Sequence, residues 1–368
     1  MTSNKEMLHS LFAAGKVNLR RSDLFDNSPE RMPENFDFDK AEGMMMGLAI
    51  GDSLGRGTEG MLPEDRKAAH GEIRDYLPNR HAEGKAIGLP SDDTQLAFWT
   101  LEQMIADRGF NPDHLAERFC HGQIFGIGST VSRFRRNYLA GKPWHESGPK
   151  SARNGALMRI APMVIPHLKS PSSNLWIDTA LSAMITHNDS GSTASCISFV
   201  NLLWQLLKMD APPDPDWWLE TYVAVARDLE TDESYTPRGG AFTDYRGPIW
   251  RFVEEKVGAA YRNNLSVVEA CNSWYSAAFL LETVPSVIYI LMKCGRNLEE
   301  AIIRAVNDTW DNDTIAAIVG AAVGALHGKR AIPERWITKL SGRTSYADDG
   351  KVFELLKTAK RIWGSHCE

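Results

Sequence analysis

The chain has 368 residues, 43% hydrophobic, 24% charged and 9% aromatic, with a formal net charge of −6. This supports a folded core, as one large domain or two ordinary ones, and excludes collagenous and generally disordered chains. No apolar run approaches the ~18 residues of a membrane helix. The acidic balance, with no basic stripe, argues against a dedicated nucleic-acid binder.

The opening MTSNKEMLHS lacks the basic segment and long apolar run of a signal peptide. Residues 8–14 carry Leu8, Leu11, Phe12, Ala13 and Ala14, enough for a brief helix. From 22 to 39 the chain turns acidic, with Asp23, Asp26, Glu30, Glu34, Asp37 and Asp39 against Arg31 alone, interleaved with Phe25, Phe36 and Phe38. Such a stretch reads either as a solvated arm on the domain surface or as an arm that inserts aromatic and acidic groups into a partner.

Beyond residue 40 the pattern is helical. Apolar residues at three- and four-residue spacing predict helices over 41–55, 94–108, 112–120, 176–186, 193–208, 252–261, 275–294, 298–307, 315–327 and 351–363. Alternating strand patterns are nearly absent, so an all-α domain is expected. Residues 209–250, rich in Pro, Asp, Gly and Trp, read as loop with short helices. The five cysteines (120, 196, 271, 294 and 367) are scattered and form no CxxC, which suits a reducing, cytoplasmic setting.

Two helices share a glycine ridge. Gly43, Gly47, Gly51 and Gly55 recur every four residues, as do Gly320, Gly324 and Gly328. Each helical glycine costs up to about 1 kcal/mol relative to alanine. Close helix approach is the compensating gain, which places both helices deep in the core.

The chemistry concentrates in two strings, Ser91-Asp92-Asp93-Thr94 and Asp311-Asn312-Asp313-Thr314, each just ahead of a predicted helix. Taken singly, each is a helix cap, because Ser, Thr, Asp and Asn favour that position and carboxylates suit the helix dipole. Yet each holds two carboxylates beside hydroxyls, more than a cap needs. Four carboxylates gathered together repel unless cations lie between them, and an all-oxygen donor set suits Mg²⁺, Mn²⁺ or Ca²⁺. Sequence alone leaves both readings open. A third string, GDSLGRGTE at 51–59, ends in Glu59, either a surface acid or a group that reaches a site at the helix end.

These strings, in this order, resemble the ADP-ribosylglycohydrolases, which include the activating glycohydrolase of dinitrogenase reductase and the ADP-ribosylarginine hydrolases. GLAIGDSLGRGTEG (47–60), SDDT (91–94), GIGST (126–130), RNGALMRIAP (153–162), ITHNDS (185–190), DNDTIAAIVGAAVGALHG (311–328) and IPERW (332–336) carry the likeness, over roughly 41–340. The resemblance implies a single compact all-α, orthogonal multi-helix domain over 40–368, preceded by a 1–39 extension. It implies a binuclear Mg²⁺ or Mn²⁺ centre held by Ser91, Asp92, Asp93, Asp311, Asp313 and Thr314. Glu59 or Asp93 would handle the proton. Ser129, Asn154, Gly155, His187 and Trp310 would meet the substrate, mono-ADP-ribose on a protein side chain, most simply arginine.

Three positions depart from the family pattern. Gly126 stands where the activating glycohydrolase has an aspartate, Trp310 where the family usually has glycine, and Ser91 where it has threonine. The extension is similar to that of a branch of immunity proteins, which implies a partner, an ADP-ribosyltransferase toxin plugged by residues 1–39. Two other functions compete: a non-enzymatic toxin blocker acting through the arm, and a hydrolase of another ADP-ribosyl linkage.

Overall fold

The protein is described by a computed structural model over residues 3–364. Among these residues there is no β-strand, only the isolated bridges Gly88–Leu340, Arg153–Phe279 and Tyr235–Gly247. No helix among them is long and apolar enough to cross a membrane. The expected all-α architecture is present.

Its centre is the crossing of two glycine-ridged helices, Asp39–Gly55 and Asn312–His327. The two run antiparallel with their backbones in direct contact. A Cβ at Gly47 would lie 2.1 Å from the Gly320 carbonyl oxygen, one at Gly51 2.0 Å from that of Ala316, and one at Gly43 2.5 Å from that of Gly324. No side chain fits between them. The other faces carry Met44, Met45, Leu48, Ile50, Ile315, Ile318, Val319 and Val323, all buried. Leu298–Asp308 and Ser190–Lys208 pack against Asn312–His327, and Asp92–Asp107 packs against Asp39–Gly55. Because the crossing is antiparallel, the C-terminus of the first helix meets the N-terminus of the second. A Cβ at Gly55 would lie 2.5 Å from the backbone of Asp313.

The structure departs from the sequence reading in several places: besides short helices such as Pro63–His70 and Val267–Ser273 that were not predicted, three departures shape the fold. A full helix, Pro215–Leu229, lies inside the stretch read as loop with short helices. Pro215 opens it, where its missing N–H is harmless, and Trp218, Tyr222, Val223, Ala226 and Leu229 form a buried stripe. Ser129–Leu139 is also helical, with its buried face reduced to Thr130, Val131 and Phe134, a faint periodic signal. The helix predicted from 275 begins only at Leu280. Tyr275 and Ser276 take positive φ values of 78° and 39°, conformations that no apolar periodicity reveals.

Residues 3–38 lie as a strap along the body. The Asn4–Ala13 helix, with a capping box of Ser3 and Glu6, packs on Asn174–Thr186. Leu8, Leu19, Phe25 and Phe38 are buried in the common core. The strap's carbonyls are taken up as well: Trp176 donates to Asn27 at 3.0 Å and Trp204 to Glu30 at 2.8 Å. Three of its acids are paired within the chain, Asp26 with Lys5, Glu30 with Lys208, and Asp37 with Arg330, which also meets Asp39 at the start of the next helix. Two of the three strap phenylalanines proposed for a partner are thus already buried.

Filling the crossing should unfold the protein more easily. Gly47→Ala or Gly320→Ala should lose about 2 kcal/mol or more through overpacking, lowering the melting temperature by several degrees. Gly109→Ala, which meets nothing within 4 Å, should change little. A circular-dichroism melt decides it, and unchanged melting of the first two variants would contradict the packing argument.

Candidate functional site

The crossing delivers the two acidic strings to one place. Ser91 caps the Asp92–Asp107 helix, accepting from the Asp93 N–H and donating its hydroxyl to Asp93 Oδ2 at 2.9 Å. Asp311 precedes the Asn312–His327 helix and accepts from Asn154 Nδ2 at 2.6 Å. Asn154 also donates to Thr283 Oγ1, which fixes its amide. Asp313 accepts from the Thr314 N–H at 2.9 Å. The first string therefore caps its helix through Ser91, whereas Asp311 stands at the start of the second helix with its carboxylate turned to Asn154, and the two strings converge.

Asp52, to which the sequence reading assigned no role, ties them together. It lies fully buried on the ridged helix and accepts from the backbone N–H of Ser91 (2.9 Å) and Thr94 (3.1 Å) and from the Thr94 hydroxyl. One carboxylate thus holds the start of the Asp92–Asp107 helix against the crossing. Its signal was present in the sequence: an aspartate one residue after a ridge glycine, directly after the apolar run 43–51.

Asp52, Asp93 and Asp313 each place a carboxylate oxygen within 4.8 Å of the others. Asp93 Oδ1 is buried with no hydrogen-bond partner. An orphaned carboxylate oxygen among other acids fits a hard, oxygen-ligated cation. The electrostatics agree. Burial pushes the Asp93 and Asp92 carboxyls well above the usual range, and neighbouring acids push them further. Burial, then the Asp311 and Asp52 charges, raises Asp313 to about 8. Burial raises Asp311 to about 6, against the bond from Asn154.

A cavity of about 190 Å³ opens over this cluster. Glu59, Asp92, Asp93, Ser129, Asn154, Gly155, His187, Asp311, Asp313 and Thr314 all border it. Ser91 does not, being fully buried behind Asp93. His187 is buried, and its Nε2 has no partner while Nδ1 meets Thr186 Oγ1 at 2.9 Å. Burial and the nearby Arg159 and Arg153 push its pKa down to about 3, so the ring is neutral. Gly155 leaves room for it, since a Cβ there would lie 2.9 Å from His187 Cε1.

A second lobe of about 330 Å³ adjoins the first and shares Glu59, Ala278 and Asp311 with it. Trp310 and Tyr275 form its wall, ring centroids 4.4 Å apart. Trp310 Nε1 donates to the Gly60 carbonyl at 2.7 Å, tying the Glu59 loop to the second acidic string. The positive-φ turn at 275–276 holds that string: Ser276 Oγ accepts from the Trp310 N–H and its carbonyl from the Asp311 N–H. Arg238, also in this lobe, is paired with the buried Glu282 at 2.6 Å. Arg56, Arg238 and Ala278 were not singled out in the sequence, because nothing in their local spacing marks them.

A family model described as ADP-ribosylglycohydrolase matches residues 32–364. An uncharacterised protein of Archaeoglobus fulgidus is 29% identical over 83% of this chain and 92% of its own. A protein named ADP-ribosylarginine hydrolase Tri1, from Serratia proteamaculans, is 26% identical over 90% of this chain and 83% of its own. A solved structure titled ADP-ribosylglycohydrolase-related protein complex superposes with a TM-score of 0.63 at 25% identity, covering 88% of this chain and 97% of that one.

The raised carboxylates give a pH signature. Their folded pKa values lie above the unfolded value of about 4. The unfolded chain therefore releases protons first, and the metal-free fold loses stability as pH rises from about 4 through Asp311 near 6 to Asp313 near 8. Cations bind the ionised form. Added Mn²⁺ should therefore raise the melting temperature more at pH 8 than at pH 5, and Asp313→Asn should abolish most of that rise. A scanning-fluorimetry series across pH tests this; an Mn²⁺ shift independent of pH would contradict it.

Proposed function

The chain belongs to the ADP-ribosylglycohydrolase family, and from that premise we propose that it hydrolyses the N-glycosidic bond between ADP-ribose and a protein arginine, using Mg²⁺ or Mn²⁺. The observation that carries the reading is the two-lobed cleft. An acid cluster suited to cations and sugar hydroxyls adjoins a lobe walled by Trp310 and Tyr275. Aromatic faces beside the Asp311 and Glu59 carboxylates suit a planar guanidinium, and Arg238 is already neutralised by Glu282. The arginine-directed name of the Serratia relative supports the same linkage.

Asp92, Asp93, Asp311, Asp313 and Thr314 would hold the cations, with the Ser91 hydroxyl behind Asp93 and Asp52 beside them, its oxygens engaged by Ser91 and Thr94. Bound divalent ions supply Lewis-acid charge to the ribose hydroxyls. The remaining work belongs to the chain. Asn154 holds Asp311 in one orientation through its 2.6 Å bond. His187, neutral and unpartnered at Nε2, offers that atom to a substrate hydroxyl. Ser129, exposed at the start of its helix, offers a hydroxyl and a free N–H to the substrate. Glu59, where the lobes meet, takes the proton of the attacking water as the C1–O bond forms and the C1–N bond breaks, its electron pair leaving on the substrate guanidinium, which departs as neutral guanidine. The surrounding carboxylates favour the oxocarbenium-like charge that develops at C1. Asp93 is the alternative proton acceptor. A toxin-blocking arm is not part of the proposal, because Phe25 and Phe38 are buried in the chain's own core.

The test is release of ADP-ribose from an arginine-ADP-ribosylated peptide, with Mg²⁺ and with EDTA. Release should require metal and fall on the order of a hundredfold or more in Asp93→Asn and Asp313→Asn, as for loss of a transition-state charge stabiliser. Trp310→Ala should raise KM about tenfold for the arginine substrate with less effect on kcat, the loss of one cation–π contact. Release from a serine-linked peptide alone would overturn the arginine assignment.

A further inference from the structure

The acid cluster contains a cation of its own. Arg56 follows Gly55, so the crossing that fixes Gly55 against the Asp313 backbone also fixes the start of this side chain. Its Nη1 pairs with Glu59 and stands 3.8 Å from Asp313 Oδ2. Its Nη2 extends to Gly126, where a Cβ would lie 3.1 Å from that nitrogen and 3.6 Å from Asp92 Oδ1. The guanidinium thus occupies the space that a side chain at 126 would need. Gly126 leaves that space open, and its φ of +58° is itself awkward for most side chains.

We propose that Arg56 is a resident counter-cation of this site, competing with the outermost divalent ion for Asp313, Asp92 and Glu59. The proposal rests on the cation-binding reading of the cluster but not on the choice of linkage. An ion bound to Asp313 Oδ2 at ordinary carboxylate distance would lie within about 6 Å of the guanidinium. Two positive charges that close repel, and because Asp93 and Asp313 are buried the solvent at the half-open Arg56 side chain screens them only in part. The guanidinium also holds Glu59 at the edge of the cavity, so removing its charge frees that carboxylate as well. Arg56 therefore sets how tightly the last ion binds, and Gly126 makes the arrangement sterically possible.

The experiment is a titration of metal-stripped full-length protein with Mn²⁺, following free Mn²⁺ by electron paramagnetic resonance. Arg56→Ala and the bulkier neutral Arg56→Gln should bind the weakest Mn²⁺ about tenfold tighter, or bind one further ion. Arg56→Lys, which keeps the charge, should match the wild type. The side chain is 32% exposed, and a melt without metal checks that each variant folds. Unchanged or weaker Mn²⁺ binding in both neutral variants would overturn the proposal, as would Arg56→Lys behaving like them. If no form binds Mn²⁺, the cation reading of the cluster falls with it; if all bind it alike, only the role of Arg56 falls.

Discussion

Two helix backbones touch at the centre of this protein, and every functional feature depends on that contact. Carbonyl oxygens of Gly320, Gly324 and Ala316 stand where side chains of the opposing helix would be. Helices normally pack at 8–10 Å because side chains hold them apart; with those removed, the axes close. The entropic and propensity penalty of several helical glycines is offset by a contact that no side-chain interface could make. Its antiparallel sense decides where the chemistry lies, because it brings the C-terminal end of one helix to the acidic N-terminus of the other.

From that point the site is assembled by few bonds. Asp52 reaches from the first ridged helix to the backbone of Ser91 and Thr94, so the first acidic string is tied through a single buried carboxylate to the crossing that places the second. Asn154 holds Asp311 and the 275–276 turn holds the residues around it. The result is a set of acids kept close in a largely buried place, where burial and mutual repulsion both raise their pKa values. Such an arrangement is unfavourable for the fold without cations and favourable for binding them. The same logic gives Arg56 its interest, since it brings a positive charge to the edge of this acid cluster.

Much of this was legible in the sequence. The all-α class followed from apolar periodicity, and the two acidic strings and the glycine ridges are marked by local patterns that short-range chemistry requires. The helix Pro215–Leu229 was obscured by the Pro, Asp and Trp around it, although its buried stripe has ordinary helical spacing. The strap at 3–38 was ambiguous because its phenylalanines are equally suited to a partner or to the chain's own core, and only packing chooses between them. Arg238 could not be assigned, since a salt bridge to Glu282 holds it at the cleft from a distant part of the chain.

The sequence by itself determined which residues could do chemistry and which helices must lie close, because caps, carboxylate pairs and glycine spacing are local properties. The tertiary structure decided that the two caps are also one site, that Asp52 braces it, and that Arg56 fills the space left by Gly126. Those are relations between segments tens to hundreds of residues apart. They exist only once burial, backbone approach and charge have been settled together, which no window of sequence contains.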